Sequence, residues 1–69
     1  MQVNLAKNLV YLRRKRGVTQ DVIADFLGVT KASVSKWETG LSVPDIMHLP
    51  RLASYYDVTI DDNADFDIK

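Results

Sequence analysis

The 69-residue sequence predicts a small all-α domain of five helices, in which two short helices joined by a tight turn stand at the centre. Apolar residues recur at the three- and four-residue spacing of helices, without the alternation of strands. Gly17, Gly28 and Gly40 each follow a helical segment, where a left-handed residue commonly ends a helix. Helices with so little chain between them pack mainly against their neighbours, and such a fold suits a chain of this length.

The first helix is predicted from Leu5, Leu9 and Leu12, which form one apolar stripe. Four consecutive cations from Arg13 to Arg16 would occupy its last turn, where the helix dipole favours positive charge. Gly17 then ends the helix. We expect the leucine stripe to face the core.

The second and third helices are predicted from their capping residues. Thr19 can cap the first of them and Thr30 the second, because a threonine hydroxyl accepts from the free amides of a first turn. Between these helices lies only Gly28-Val29-Thr30. A three-residue turn with glycine between two helices indicates a helix-turn-helix.

A fourth helix is predicted over roughly residues 46–56, with an apolar face that includes Leu49 and Leu52. Pro50 leaves two alternatives: either the regular helix begins near Leu49, or its first turn is distorted. The run Thr59-Ile60-Asp61-Asp62 resembles a capping box, so a short fifth helix is expected to open there. The helix-turn-helix domain is assigned to residues 1–64. Residues 65–69 are expected to be a polar tail, or the point at which a longer chain was cut.

Composition narrows the environment and the chemistry. The chain has no cysteine, which excludes disulfides and thiolate metal sites and fits a cytoplasmic compartment. No apolar run approaches the roughly 20 residues needed to cross a bilayer, so no membrane partner is expected. Seven basic and three acidic residues give residues 1–40 a charge of +4, whereas two basic and six acidic residues give residues 41–69 a charge of −4. The basic half suggests an anionic polymer as partner, although ordinary solvated charge is the simpler interpretation of charge alone.

A helical wheel of the third helix separates two faces. With about 100° per residue, Val34 and Trp37 fall on one side. The opposite arc, about 140° wide, carries Lys31, Ala32, Ser35, Lys36 and Thr39. Lysine can donate to guanine or phosphate, alanine permits close approach and can touch a thymine methyl, and hydroxyls can contact bases or phosphates. This face has the chemistry needed in a DNA major groove.

A larger pattern surrounds that helix. It comprises Leu9, Leu12, Arg13, Gly17, Val18, Thr19, Gln20, Ala24, Leu27, Gly28, Val29, Thr30, Val34, Ser35, Trp37, Glu38 and Gly40, followed by Pro44, Leu52-Ala53 and Val58-Thr59. In this register the sequence resembles phage repressors and Cro proteins, the xenobiotic-response-element family of helix-turn-helix DNA-binding domains. The resemblance covers roughly residues 5–62 and implies a five-helix, lambda-repressor-like fold whose third helix enters the major groove.

The resemblance also implies residue roles. Base contacts are expected from Lys31, Ala32 and Lys36. Phosphate or supporting contacts are expected from Gln20, Thr30, Ser33, Ser35, Thr39 and Arg13. Arg13 and Glu38 are expected to form a structural ion pair between the first and third helices. The implied partner is a double-stranded DNA operator. The geometry of palindromic half-sites favours a homodimer on the DNA, and a further domain in a longer parent chain is an open alternative. Where the family has two large apolar residues, this chain has Asn63 and Ala64, so Phe66 or Ile68 would have to replace them.

Other functions are weaker alternatives. An antitoxin or a restriction-modification controller would share the fold, and a protein-interaction module could keep the fold without binding DNA. No nucleophile-base pair or glycine-rich phosphate loop indicates an enzyme, so no catalytic residue and no cofactor is expected. His48 is the only histidine and has no cysteine to join it, so no metal site is expected. Transcriptional repression is the role that the sequence favours.

Overall fold

The computed structural model describes residues 5–60 and 66–67. In this part of the chain the elements are α1 (Leu5–Arg16), α2 (Gln20–Leu27), α3 (Lys31–Thr39), α4 (Leu49–Tyr56), β1 (Thr59–Ile60) and β2 (Phe66–Asp67). The all-α class is confirmed by the four helices, since the two strands are only two residues each. None of the helices in the described ranges is long and apolar enough to cross a membrane.

Helix α1 follows its leucine pattern. Leu9 and Leu12 are buried and Leu5 packs against the same core, so the apolar stripe faces inward as expected. The helix ends where Gly17 takes a left-handed φ of +78° and its amide bonds back to the carbonyl of Arg13 at 3.0 Å. The four cations therefore stay in the last turn.

The helix-turn-helix has both predicted caps. Thr19 accepts a hydrogen bond from the amide of Val22, and Thr30 accepts one from the amide of Ser33. Between the helices, Gly28 has a φ of +75° and its amide bonds to the carbonyl of Ala24 at 2.8 Å. The chain can reverse within three residues because glycine adopts this conformation without steric cost.

The left-handed backbone conformation of Gly28 predicts that replacing this glycine destabilises the domain. A Cβ placed on this glycine meets no atom within 4 Å, so any cost of Gly28→Ala comes from the backbone alone. We expect the alanine variant to lose about 1 kcal/mol of unfolding free energy, measured by urea denaturation. Gly28→Asn is the matched control and should lose less, because asparagine tolerates the left-handed region. Equal losses in the two variants would contradict the explanation.

Helix α4 resolves the alternatives at Pro50. The regular helix begins at Leu49, and the proline occupies the first turn, where its missing amide costs nothing. A turn precedes the helix, and within this turn the carbonyl of Asp45 accepts hydrogen bonds from the amides of His48 and Leu49. The helix ends at Asp57, whose φ of 57° is left-handed. The first alternative is therefore confirmed, and the residues before Leu49 form a turn instead of regular helix.

The prediction of a fifth helix capped by Thr59 is not confirmed, because such a helix would begin at Ile60 and Ile60 lies in a strand. Thr59 and Ile60 form β1, which pairs antiparallel with β2 in the register Thr59 with Asp67 and Ile60 with Phe66. The cause lies in the side chains and in a distant partner. Threonine and isoleucine are β-branched and favour extended backbone, and the β2 segment supplies hydrogen-bonding groups that a capping argument cannot foresee. Asn63, Ala64 and Ile68 lie outside the described residues.

The core lies where the four helices meet. Ile23, Val34 and Leu52 are its largest fully buried side chains, and each comes from a different helix. The other buried members are Leu9, Leu12, Ala24, Leu27, Trp37, Leu49, Ala53 and Tyr56. Burying a side chain of this size stabilises the fold by roughly 1.5–3 kcal/mol. Because α3 contributes from one face only, its other face is left to solvent.

Candidate DNA-binding surface

The two faces of α3 are oriented as the helical wheel predicts. Val34 and Trp37 are 2% and 7% exposed. Lys31, Ala32 and Lys36 are all exposed. The two lysines thus point away from the core on either side of a small alanine. We call the outward face of Lys31, Ala32, Ser35, Lys36 and Thr39 the recognition face.

Two hydroxyls meet at the first turn of α3. The Thr30 and Ser33 hydroxyl oxygens are 3.1 Å apart, and the Thr30 oxygen also accepts from the Ser33 amide at 3.1 Å. In this pair only one hydroxyl can donate to the other, so one hydroxyl hydrogen is left over. That hydrogen can be given to a phosphate oxygen at the end of the helix where free amides also favour anions.

Thr39, at the other end of the recognition face, is held differently. Its hydroxyl lies 3.0 Å from the carbonyl oxygen of Ser35 and 3.2 Å from that of Lys36, and it donates back into the helix. A phosphate accepts hydrogen bonds and does not donate them, so Thr39 must rotate before it can contact one. Ser35 is half-buried at the edge of the face.

Three helices are tied together at Glu38. Arg13 of α1 donates from Nε to Glu38 Oε2 at 2.7 Å and from Nη2 to Oε1 at 3.1 Å. Gln20, the first residue of α2, donates from Nε2 to the same Oε1 at 3.0 Å. The structure therefore brings Arg13, Gln20 and Glu38 together as one network, which fixes the position of α3 relative to the other two helices.

The network limits what Arg13 can do. Its Nη1 donates to the carbonyl of Val18 at 2.9 Å, so three of its five N–H groups are already used. The hydrogen bond to Glu38 raises the pKa of the guanidinium above its ordinary value, against the opposing effect of burial. Arg13 is thus a fixed cation that orients Glu38 and keeps two donors for an outside acceptor.

A buried phenol stands near this network. Burial raises the pKa of Tyr56 far above its ordinary value, and the nearby negative charge of Glu38 raises it further. Like an ordinary tyrosine, the phenol is neutral in the physiological pH range.

One surface cluster was not anticipated from the sequence. The Arg51 guanidinium lies over the Phe26 ring, 5.0 Å from its centroid, and donates to the Phe26 carbonyl at 2.9 Å. Phe26 also packs against Tyr55, and Arg16 lies over Tyr55 in turn. The available signal was the four-residue spacing of Arg51 and Tyr55, which places them on one side of α4. This cluster joins the end of α2 to α4 and leaves the recognition face unaffected.

Comparison with known proteins gives consistent results. A helix-turn-helix family model matches residues 9–63. An HTH-type transcriptional activator of Enterococcus faecalis, BcrR, is 34% identical over 56 residues, which are 81% of this chain and 28% of that protein. The SPbeta prophage-derived regulator YonR of Bacillus subtilis is 37% identical over 49 residues, which are 71% of this chain and 45% of that protein.

A solved structure shares the fold. The N-terminal DNA-binding domain of SinR from Bacillus subtilis superposes with a TM-score of 0.70 at 25% sequence identity, over 80% of this chain and 81% of that one. The chain spans less than half the length of the two curated relatives above. The resemblance found in the sequence is thus confirmed by the family model, by the relatives and by the fold, and the chain belongs to the helix-turn-helix family.

Proposed function

We propose that this domain binds a double-stranded DNA operator sequence-specifically and thereby represses transcription. The observation that carries the proposal is the orientation of α3: Trp37 is buried on one face, and Lys31, Ala32 and Lys36 are exposed together on the other. The function is binding alone, and we assign no catalytic step to any residue. A bacterial regulator of this kind would act in the cytoplasm, at the nucleoid.

Base reading is assigned to the recognition face. Lys31 and Lys36 can each donate to the O6 and N7 atoms of guanine, and the methyl of Ala32 can contact thymine. The small alanine lets the helix backbone approach the base edges. Sequence preference would then arise from these three residues of one helix, positioned by the rest of the domain.

Phosphate contacts would hold that helix in register. Gln20 has one amide hydrogen that is not given to Glu38, and it stands at the N-terminus of α2, where free backbone amides favour an anion. Thr30 and Ser33 offer one further hydroxyl hydrogen at the N-terminus of α3. Ser35, Thr39 and Arg13 are assigned supporting contacts. Such contacts fix orientation and carry no sequence information directly.

Repression and dimerisation follow from simple requirements. A domain that occupies a promoter blocks polymerase by occupancy, whereas activation needs a second contact surface. Domains of this geometry bind as dimers to half-sites about 34 Å apart, so we propose a homodimer on DNA. The relatives are much longer than the matched segment, which supports a further domain in the parent protein.

The test is selection from a randomised duplex pool, followed by binding measurements on the enriched sequence at several salt concentrations. We expect a palindromic consensus and affinity that falls steeply with salt, because each neutralised phosphate releases counterions. A reporter promoter overlapping the selected site should be silenced by the protein. Failure to enrich any sequence would favour a protein-interaction module, and enrichment without silencing would favour activation or control of a toxin or restriction operon.

A further inference from the structure

An open depression of about 630 Å³ lies between α1 and the end of α3, beside the recognition face. Its lining is Lys7, Val10, Tyr11, Arg14, Lys15 and Glu38. We propose that this α1 flank, through Lys7 and Arg14, is a second strip of contacts to the sugar-phosphate backbone of the duplex that α3 reads. The proposal rests on the DNA binding proposed above and extends it to a surface outside the recognition face.

The position of Glu38 places the depression next to the recognition face. On α3, Lys31, Ser35 and Glu38 follow one another at four and then three residues, so they form one row along the helix. The first two belong to the recognition face, and the third lines the depression. A duplex seated on the recognition face therefore has one edge of its groove directed toward α1.

The N-terminus of α2 also contacts Glu38 beside the depression. Gln20 donates to Glu38 at 3.0 Å, so a phosphate held by Gln20 would lie within a few ångströms of the depression. A DNA strand continues on both sides of any phosphate, with one nucleotide per 3.4 Å of helix axis. The strand that passes Gln20 can therefore meet the α1 flank without any bending of the protein.

The chemistry of the flank fits a polyanion. Helix α1 contains no acidic residue, and Arg14 and Lys15 are exposed in its last turn. Lys7 and Arg14 are two turns apart on one side, about 10.5 Å, which is roughly three nucleotides along one strand. Tyr11 lies between them and is 49% exposed, with its hydroxyl able to donate. Both oxygens of Glu38 already accept hydrogen bonds from Arg13 or Gln20, which reduces its repulsion of a phosphate.

The experiment measures affinity for the selected duplex by fluorescence anisotropy at a series of salt concentrations. For each lost phosphate contact, the slope of log K against log salt should become less steep by about 0.9. Arg14→Gln is expected to show this change, and the Lys7→Gln/Arg14→Gln double variant about twice the change. If affinities converge at 1 M salt, the single variant binds about eightfold more weakly at 0.1 M.

Two controls separate local contact from general charge. Arg51, on α4, donates to Phe26 near the C-terminal end of α2, which is the end farther from Gln20. Arg51→Gln removes the same charge at that place and should leave the slope of log K against log salt unchanged. Arg14→Lys keeps the charge and should keep most of the slope. Circular dichroism verifies that every variant is folded. An unchanged slope in Arg14→Gln, or an equal change in Arg51→Gln, overturns the inference while wild-type binding still stands. If the wild-type protein binds no duplex, the proposed function itself fails and the α1 strip fails with it.

Discussion

Replacing Glu38 with alanine is expected to lower the unfolding free energy by about 3 kcal/mol. The carboxylate accepts from Arg13 and Gln20, and the side chains of the ion pair are only 15% and 5% exposed for Arg13 and Glu38. Its removal leaves a largely buried guanidinium without a counter-charge, which costs more than the net value of the pair. Small domains have total stabilities near 5–15 kcal/mol, so a loss of this size is easily measured.

Urea denaturation of a set of variants tests this explanation. Glu38→Met leaves the Arg13 charge and the Gln20 amide donor unmatched, and Arg13→Met leaves the Glu38 carboxylate without its cation. The double variant removes both charges at once. The double variant should therefore be more stable than the sum of the single losses predicts. Additive losses, or a loss below about 1 kcal/mol in Glu38→Ala, would show that the pair is as weak as ordinary surface pairs.

Local patterns predicted most of the fold, because the responsible interactions lie within a few residues. Thr19 and Thr30 cap helices through amides three residues away, and Gly28 ends a helix by its own backbone freedom. The failure at Thr59 has the opposite origin. Its backbone partner is Asp67, and no local rule identifies a partner across a segment of that length.

Some features of the candidate site could likewise be predicted from local patterns, and others depend on contacts between distant residues. The outward direction of Lys31 and Lys36 follows from helical periodicity, so it could be predicted. The family resemblance implied separate contacts for Thr39 and Gln20, but the atoms they bond to could not be derived. Thr39 donates into its own helix, and Gln20 donates to Glu38, which is 18 residues away. The α1 depression depends on the packing of α1 against α3, which the wheel of either helix alone does not contain.

Lys36→Glu is expected to weaken binding to the selected operator by about 1–3 kcal/mol, or roughly 5- to 150-fold. Lys36 is exposed on the recognition face, and no acidic residue precedes it on α3, so reversal of its charge directs a carboxylate at base edges and phosphates. Because its side chain lies outside the core, the thermal stability of the variant should remain close to that of the wild type. Comparison on the selected duplex and on its single-base variants separates loss of reading from loss of general attraction.

The neutral variant Lys36→Met provides the matched control. If Lys36 reads a guanine, this variant should lose discrimination at one base pair and keep the preferences at the others. If Lys36 only contacts phosphate, each variant should weaken its binding to every duplex by about the same factor, whatever the base sequence. The salt slope should then fall by about 1. Unchanged affinity in Lys36→Glu would place the duplex elsewhere on the domain. It would contradict the assignment of α3 as the recognition helix, because the change removes the contact that the lysine makes and places a negative charge near the phosphate backbones.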